Sequence, residues 1–127
     1  MTALVEIVFT DSKGRRWVVP ELFTTDGASI PRFLWSLIGS PFTGKYRLPA
    51  VAHDAAYQVV GQPKADADRM FHEAMLEQGV GRVKAWAMYS AVRLFGGDPY
   101  AQAQARGQQR ERALQALAEF NDENGLE

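Results

Sequence analysis

The chain has 127 residues, 46% of them apolar, which suits one domain with a real core. Its formal net charge of −1 removes any global electrostatic case for nucleic acid or an anionic membrane as partner. There is no cysteine, so disulfides and thiolate–metal sites are excluded and a reducing compartment is the default expectation.

The opening residues, MTALVEIVFTDSKGRRW, lack a basic start followed by an apolar run and do not read as a secretory leader. No apolar stretch reaches the roughly 20 residues of a membrane span. A single domain over residues 1–127 is expected, divided into a β-hairpin region (1–24), a site loop (25–48), a helical core (49–96) and a C-terminal helix (98–120). The fold class is α+β, mostly α, with the hairpin set on a bundle of three core helices.

Val5, Ile7 and Phe9 alternate with Glu6 and Val8 as in a strand. Asp11-Ser12-Lys13-Gly14 reads as a turn, and Trp17-Val18-Val19 returns as a second strand ended by Pro20. Leu22 to Thr24 could add a third. Between Thr25 and Arg47 lie many helix breakers, with one short apolar piece, Phe33 to Ile38, for which Ser29 is a plausible N-cap and Pro31 a first-turn residue. A long glycine-containing loop in a small domain more often carries function than not.

Three helices follow: about Pro49 to Val60, stopped by Gly61 and Pro63; about Lys64 to Gln78, stopped by Gly79; and about Arg82 to Phe95, stopped by Gly96-Gly97. Asp98 and Pro99 then read as the N-cap and first residue of a last helix reaching Phe120. At about 100° per residue, the first helix puts Val51, Ala52, Ala55, Ala56, Val59 and Val60 on one side and His53, Asp54 and Tyr57 on the other. The second puts Ala67, Met70, Phe71, Ala74 and Met75 on one face, with Asp68 at its margin. The short Gly61-Gln62-Pro63 turn favours antiparallel packing. His53 precedes it by about eight residues and Asp68 follows by about five, so at roughly 1.5 Å per residue the two depths agree. Asp68 is therefore the candidate acceptor for the His53 N–H. The third helix is apolar nearly all round and is expected to be buried.

Several residues have ordinary readings. Ser29 does not sit in a Gly-x-Ser-x-Gly elbow, so an N-cap suits it better than a nucleophile. His72, four residues after Asp68, makes two ligands at most and reads as a solvated surface histidine. Arg106, Arg110 and Arg112 read as a solvated helix face, and Trp35, Trp86 and Tyr89 as core.

The segments TDGASIPRFLW, AVAHDAAY, ADRMFHEAM and WAMYSAVRLFG, in this order, resemble a phage and prophage family, domain of unknown function 1353. That likeness runs from about Phe23 to Gly96 and implies a phage-encoded virion, tail or accessory component in the host cytoplasm or the virion. Its partners would be other phage proteins, or a second copy met through the C-terminal helix, and not nucleic acid.

The His-Asp-x-x-Tyr helix, with an Asp on the next helix, also resembles secretory phospholipase A enzymes. This second resemblance implies a calcium-assisted hydrolase. His53 would be the general base, Asp68 would orient it, and Tyr57 would hold Asp68. Asp54 would bind Ca²⁺ together with the loop at Asp26, Gly27 and Ser29. The chain departs from those enzymes in lacking their cysteines and their run of glycines. A phage component is the favoured role and a hydrolase the alternative.

Overall fold

The computed structural model describes residues 5–21, 23, 30, 35–38 and 44–123. Asp26, Gly27, Ser29, the proline at position 31 and two residues of the possible third strand, 22 and 24, lie outside the described residues, and Phe23 between them belongs to no strand. The expected class holds: a two-stranded antiparallel hairpin, β1 (Ile7–Thr10) and β2 (Arg16–Val19), followed by helices. These are α1 (Trp35–Ile38), a 3₁₀ turn (Gly44–Tyr46), α2 (Arg47–Tyr57), α3 (Lys64–Glu77), α4 (Arg82–Phe95) and α5 (Gly97–Glu123).

Asp11 builds the hairpin turn. Its carboxylate accepts the backbone N–H groups of Lys13 and Arg15 and the indole N–H of Trp17. Gly14 has φ +81°, a conformation glycine adopts without a Cβ penalty. The register pairs Phe9 with Trp17 and Ile7 with Val19. One face of β2, Trp17 and Val19, is thereby buried against α2, while Val18 faces out. At the tip, Ser12 bonds Glu73 of α3 through both its hydroxyl and its backbone N–H.

The helices form two buried clusters. In the first, Trp17, Val19 and Phe23 pack with Val51, Ala55 and Tyr57 of α2, Met70 of α3 and Ala103 of α5. In the second, Phe71 and Met75 of α3 pack with Ile30, Val80 and Ala85, Met88 and Val92 of α4. Helix α2 is walled in by β2, α3 and α5, so every residue from Pro49 to Tyr57 is buried, the polar side with His53, Asp54 and Tyr57 included.

The boundaries of α3 and α4 fall within a residue of expectation. Gly79, at φ +88°, closes α3: its N–H donates to the Leu76 carbonyl, and the N–H of Val80 donates to Met75. Helix α2 starts two residues earlier than expected. Pro49 fits there because an N–H in the first turn has no intrahelical partner anyway. It ends three residues early, at Tyr57, where Gln104 of α5 captures the Tyr57 and Val59 carbonyls, both at 2.7 Å. Helix α5 begins at Gly97, so Pro99 is its third residue rather than its first, and it runs on to Glu123.

Helix α4 corrects a larger expectation. Ala85, Met88, Ala91 and Val92 are buried, but Val83 (81% exposed), Trp86 (63%) and Leu94 (76%) face outward. Trp86 is therefore not core, because α4 packs on its neighbours along one side. Trp35 and Tyr89 are half-buried. His72 is half-buried too, stacked on Tyr89 with ring centroids 5.0 Å apart, rather than fully solvated. Among the described residues no helix is long and apolar enough to cross a membrane.

Candidate functional site

Asp68, expected at a helix margin, is fully buried. The antiparallel packing of α2 and α3 carries it to His53, whose Nε2 lies 2.7 Å from Asp68 Oδ1. Tyr57, one turn along α2, donates its hydroxyl to the same oxygen at 2.5 Å. The other carboxylate oxygen accepts from Lys64 Nζ at 2.7 Å and from an Arg93 guanidinium nitrogen at 3.2 Å. One carboxylate thus ties together α2, α3 and α4.

Aromatic contacts hold the histidine ring in place. It stacks on Phe71, with centroids 4.7 Å apart, and lies tilted against Tyr57 at 4.2 Å. Tyr100 of α5 meets the Tyr57 ring edge-on and donates its hydroxyl to the Gln62 carbonyl. Among the described residues no buried side-chain nitrogen or oxygen lacks a hydrogen-bond partner.

The electrostatics follow from this arrangement. Burial holds the His53 pKa below its ordinary 6.5, and it outweighs the hydrogen bond and charge of Asp68, which act the other way. His53 is therefore neutral near pH 7. Burial also opposes ionisation of Asp68. The bonds from His53, Lys64 and Tyr57 outweigh it and hold the carboxyl well below the usual range. Burial, with the Asp68 carboxylate beside it, pushes the Tyr57 hydroxyl far up, so it stays a donor. An ionised carboxylate only accepts. His53 must therefore carry its proton on Nε2, which leaves the lone pair on Nδ1.

Asp54, the next residue on α2, is also buried. Its expected companions Asp26, Gly27 and Ser29 lie outside the described residues. Among the described residues no group of three or more His, Cys, Asp or Glu side chains could hold a metal. Asp54 supplies one hard oxygen donor group, short of the several that calcium takes.

The sequence profile of a family described as protein of unknown function DUF1353 matches residues 1–92. The chain belongs to this family. The match takes in the hairpin, the first three segments quoted above and the fourth as far as Val92, and it includes His53, Tyr57, Lys64 and Asp68, while Arg93 falls one residue beyond. Two relatives come from Sinorhizobium fredii (strain NBRC 101917 / NGR234). The uncharacterized protein y4jT is 42% identical over 90 residues, covering 71% of this chain and 27% of that protein. The uncharacterized protein y4iH is 34% identical over 88 residues, covering 69% of this chain and 37% of that protein. The chain thus spans between about a quarter and two fifths of the length of these curated relatives. No solved structure matches the chain.

Three residues that sequence reasoning passed over complete the site. Lys64 stands four residues before Asp68 on the same helix, a spacing that places side chains side by side and was available as a signal. Arg93 arrives from α4, 25 residues away, with no local signal. Gly96, taken as a helix stop, lets the chain pass the site: an added Cβ would lie 3.0 Å from the Tyr57 hydroxyl and 2.3 Å from the Val92 carbonyl.

Proposed function

We propose that the chain is an ester hydrolase module in which His53 acts as general base on water. The observation that carries this reading is the convergence of His53 Nε2 and the Tyr57 hydroxyl on one Asp68 oxygen. A neutral imidazole with its tautomer set by a buried carboxylate is the form a general base requires. Water admitted beside His53 would give its proton to the imidazole as its oxygen adds to the ester carbonyl. The imidazolium so formed, stabilised by Asp68, would return the proton to the departing alkoxide. Asp68 and Tyr57 are positioning residues in this scheme.

Calcium belongs to the same proposal. Asp54, with backbone carbonyls of Asp26, Gly27 and Ser29, would hold the ion, which would polarise the ester carbonyl when bound. The biological setting we favour is a phage- or prophage-encoded protein, in the host cytoplasm or the virion, acting on membrane lipid or an envelope polymer. The order and spacing of the four segments support that setting, and the chemistry does not depend on it.

One observation favours a second reading, in which the protein is a non-enzymatic virion, tail or accessory component. Asp68 is saturated by four donors, and two surface clefts formed by described residues include none of His53, Asp54, Tyr57 or Asp68. The network would then act as a lock between helices.

His53→Asn separates the two. It keeps approximate size and removes the titrating base. In an assay on phospholipid vesicles and soluble esters, with calcium and with chelator, the hydrolase reading expects a loss of roughly 10²–10⁴-fold with unchanged melting. Equal hydrolysis by His53→Asn and wild type, or no hydrolysis by wild type on any ester, would leave the packing lock as the role of the site.

A further inference from the structure

Helix α4 is apolar on two sides. The side opposite its buried face carries Val83, Trp86 and Leu94, all largely exposed and aligned at helical spacing. An exposed apolar stripe of this kind marks a contact surface.

A second exposed stripe lies on α5, where Leu114 is 60% exposed and Leu117 56%. The first half of α5 is fixed to α2. Ala103 enters the first core cluster, Gln104 holds the end of α2, and Gly107 lies so close that an added Cβ would meet the Gln58 carbonyl at 2.2 Å. Arg110 makes the last such bond, to Gln58. The helix then continues to Glu123, a further ~20 Å at 1.5 Å per residue. A continuous helix pinned at Gln104 and Gly107 cannot fold back onto α4 of its own chain.

Charge tells the two stripes apart. Helix α4 contains Arg82 and Lys84, besides Arg93, which bonds Asp68, and no acidic residue. Beyond Arg112, α5 contains Glu119, Asp122 and Glu123 and no basic residue. The basic apolar helix and the acidic apolar helix are complementary, whereas either against itself would bring like charges together.

We propose that the chain forms a two-fold symmetric dimer in which the distal half of α5 from each protomer lies on the outer face of α4 of its partner. Two-fold closure makes the contact twice and covers all four stripes. Nothing in this proposal depends on whether His53 is catalytic.

The test is sedimentation analysis of the full chain and its variants. Wild type is a dimer. Trp86→Glu, which spoils the α4 face, and the double variant Leu114→Glu/Leu117→Glu, which spoils the tail, each weaken dimerisation roughly 30-fold or more. Mixing the two variants restores a 1:1 heterodimer, since the intact tail of one meets the intact α4 of the other. The chain has no cysteine, so Val83→Cys and Leu117→Cys can also be made singly and mixed with a bismaleimide. The product is a link between the two different variants, and this arm decides the matter should a glutamate variant fail to fold. A monomeric wild type overturns the proposal, as does an undiminished dimer of either glutamate variant, a mixture that stays monomeric, or cross-links confined to like variants.

Discussion

Lys64 bridges two roles through a single ammonium: its Nζ lies 2.7 Å from Asp68 Oδ2 and 2.8 Å from the Val92 carbonyl. It neutralises the buried carboxylate and caps the end of α4, where cations are favoured by the helix dipole. The same side chain thus helps hold α3 against α4 and, after His53, helps keep Asp68 ionised.

Removing the carboxylate should therefore cost more than one hydrogen bond. Asp68→Ala strands the His53 and Tyr57 donors and leaves Lys64 and Arg93 without their shared counter-charge. A loss of about 3–5 kcal/mol is expected, in the range for breaking a buried pair from one side. Chemical denaturation of Asp68→Ala and Asp68→Asn measures it. A loss within ~0.5 kcal/mol, the usual limit for inert surface changes, would show that the network does not hold the helices.

Acid should destabilise the protein in two stages. His53 has a folded pKa below 6.5, so between these values the unfolded chain binds a proton the native state does not, and stability falls as pH drops below 6.5. Asp68 also has a depressed folded pKa. Its contribution is complete above the ordinary 3.8 and is lost as pH falls below it. Denaturant midpoints from pH 8 to pH 3 follow both stages. His53→Asn should abolish the upper stage and leave the lower one. An unchanged upper stage in that variant would assign it to another group. Under the hydrolase reading, the same lowered pKa keeps the base active into mildly acidic solution.

Gly96→Ala should perturb the site from outside it. The backbone at Gly96 has φ −84°, open to any residue, so the obstacle is the crowding of the new methyl against the Val92 carbonyl and the Tyr57 hydroxyl. Relief by a backbone shift costs about 1–3 kcal/mol. If hydrolysis is found, it should fall further than the folded fraction does, since Tyr57 would be displaced. A variant as stable and as active as wild type would show that the close approach at Gly96 is slack.

Truncation after Gly107 should leave a cooperatively folding protein. The α5 residues that enter the core, Tyr100 and Ala103, precede the cut, as does Gln104, and what is removed is largely exposed. Thermal melting followed by circular dichroism reports this. Loss of a cooperative transition would place the distal half of α5 within the fold of the single chain.

Much of this was open to inference from spacing alone. The ends of α3 and α4 follow from Pro63, Gly79 and Gly96, because a missing donor or side chain acts within one turn of the chain. The pairing of His53 with Asp68 follows from i, i+4 neighbours on one helix and a short connection to the next, six residues (58–63) where three were expected, which still leaves few ways to pack. Tertiary structure decided the rest. Arg93 reaches Asp68 because α4 packs against α3, and no local pattern encodes that packing. The α4 stripe looked like core because hydrophobicity reports that a side chain seeks cover without saying whether its own chain provides it. The same physics ends α2 at Tyr57: its last carbonyls go to Gln104, 47 residues on from Tyr57, a competitor that only the folded chain brings within reach.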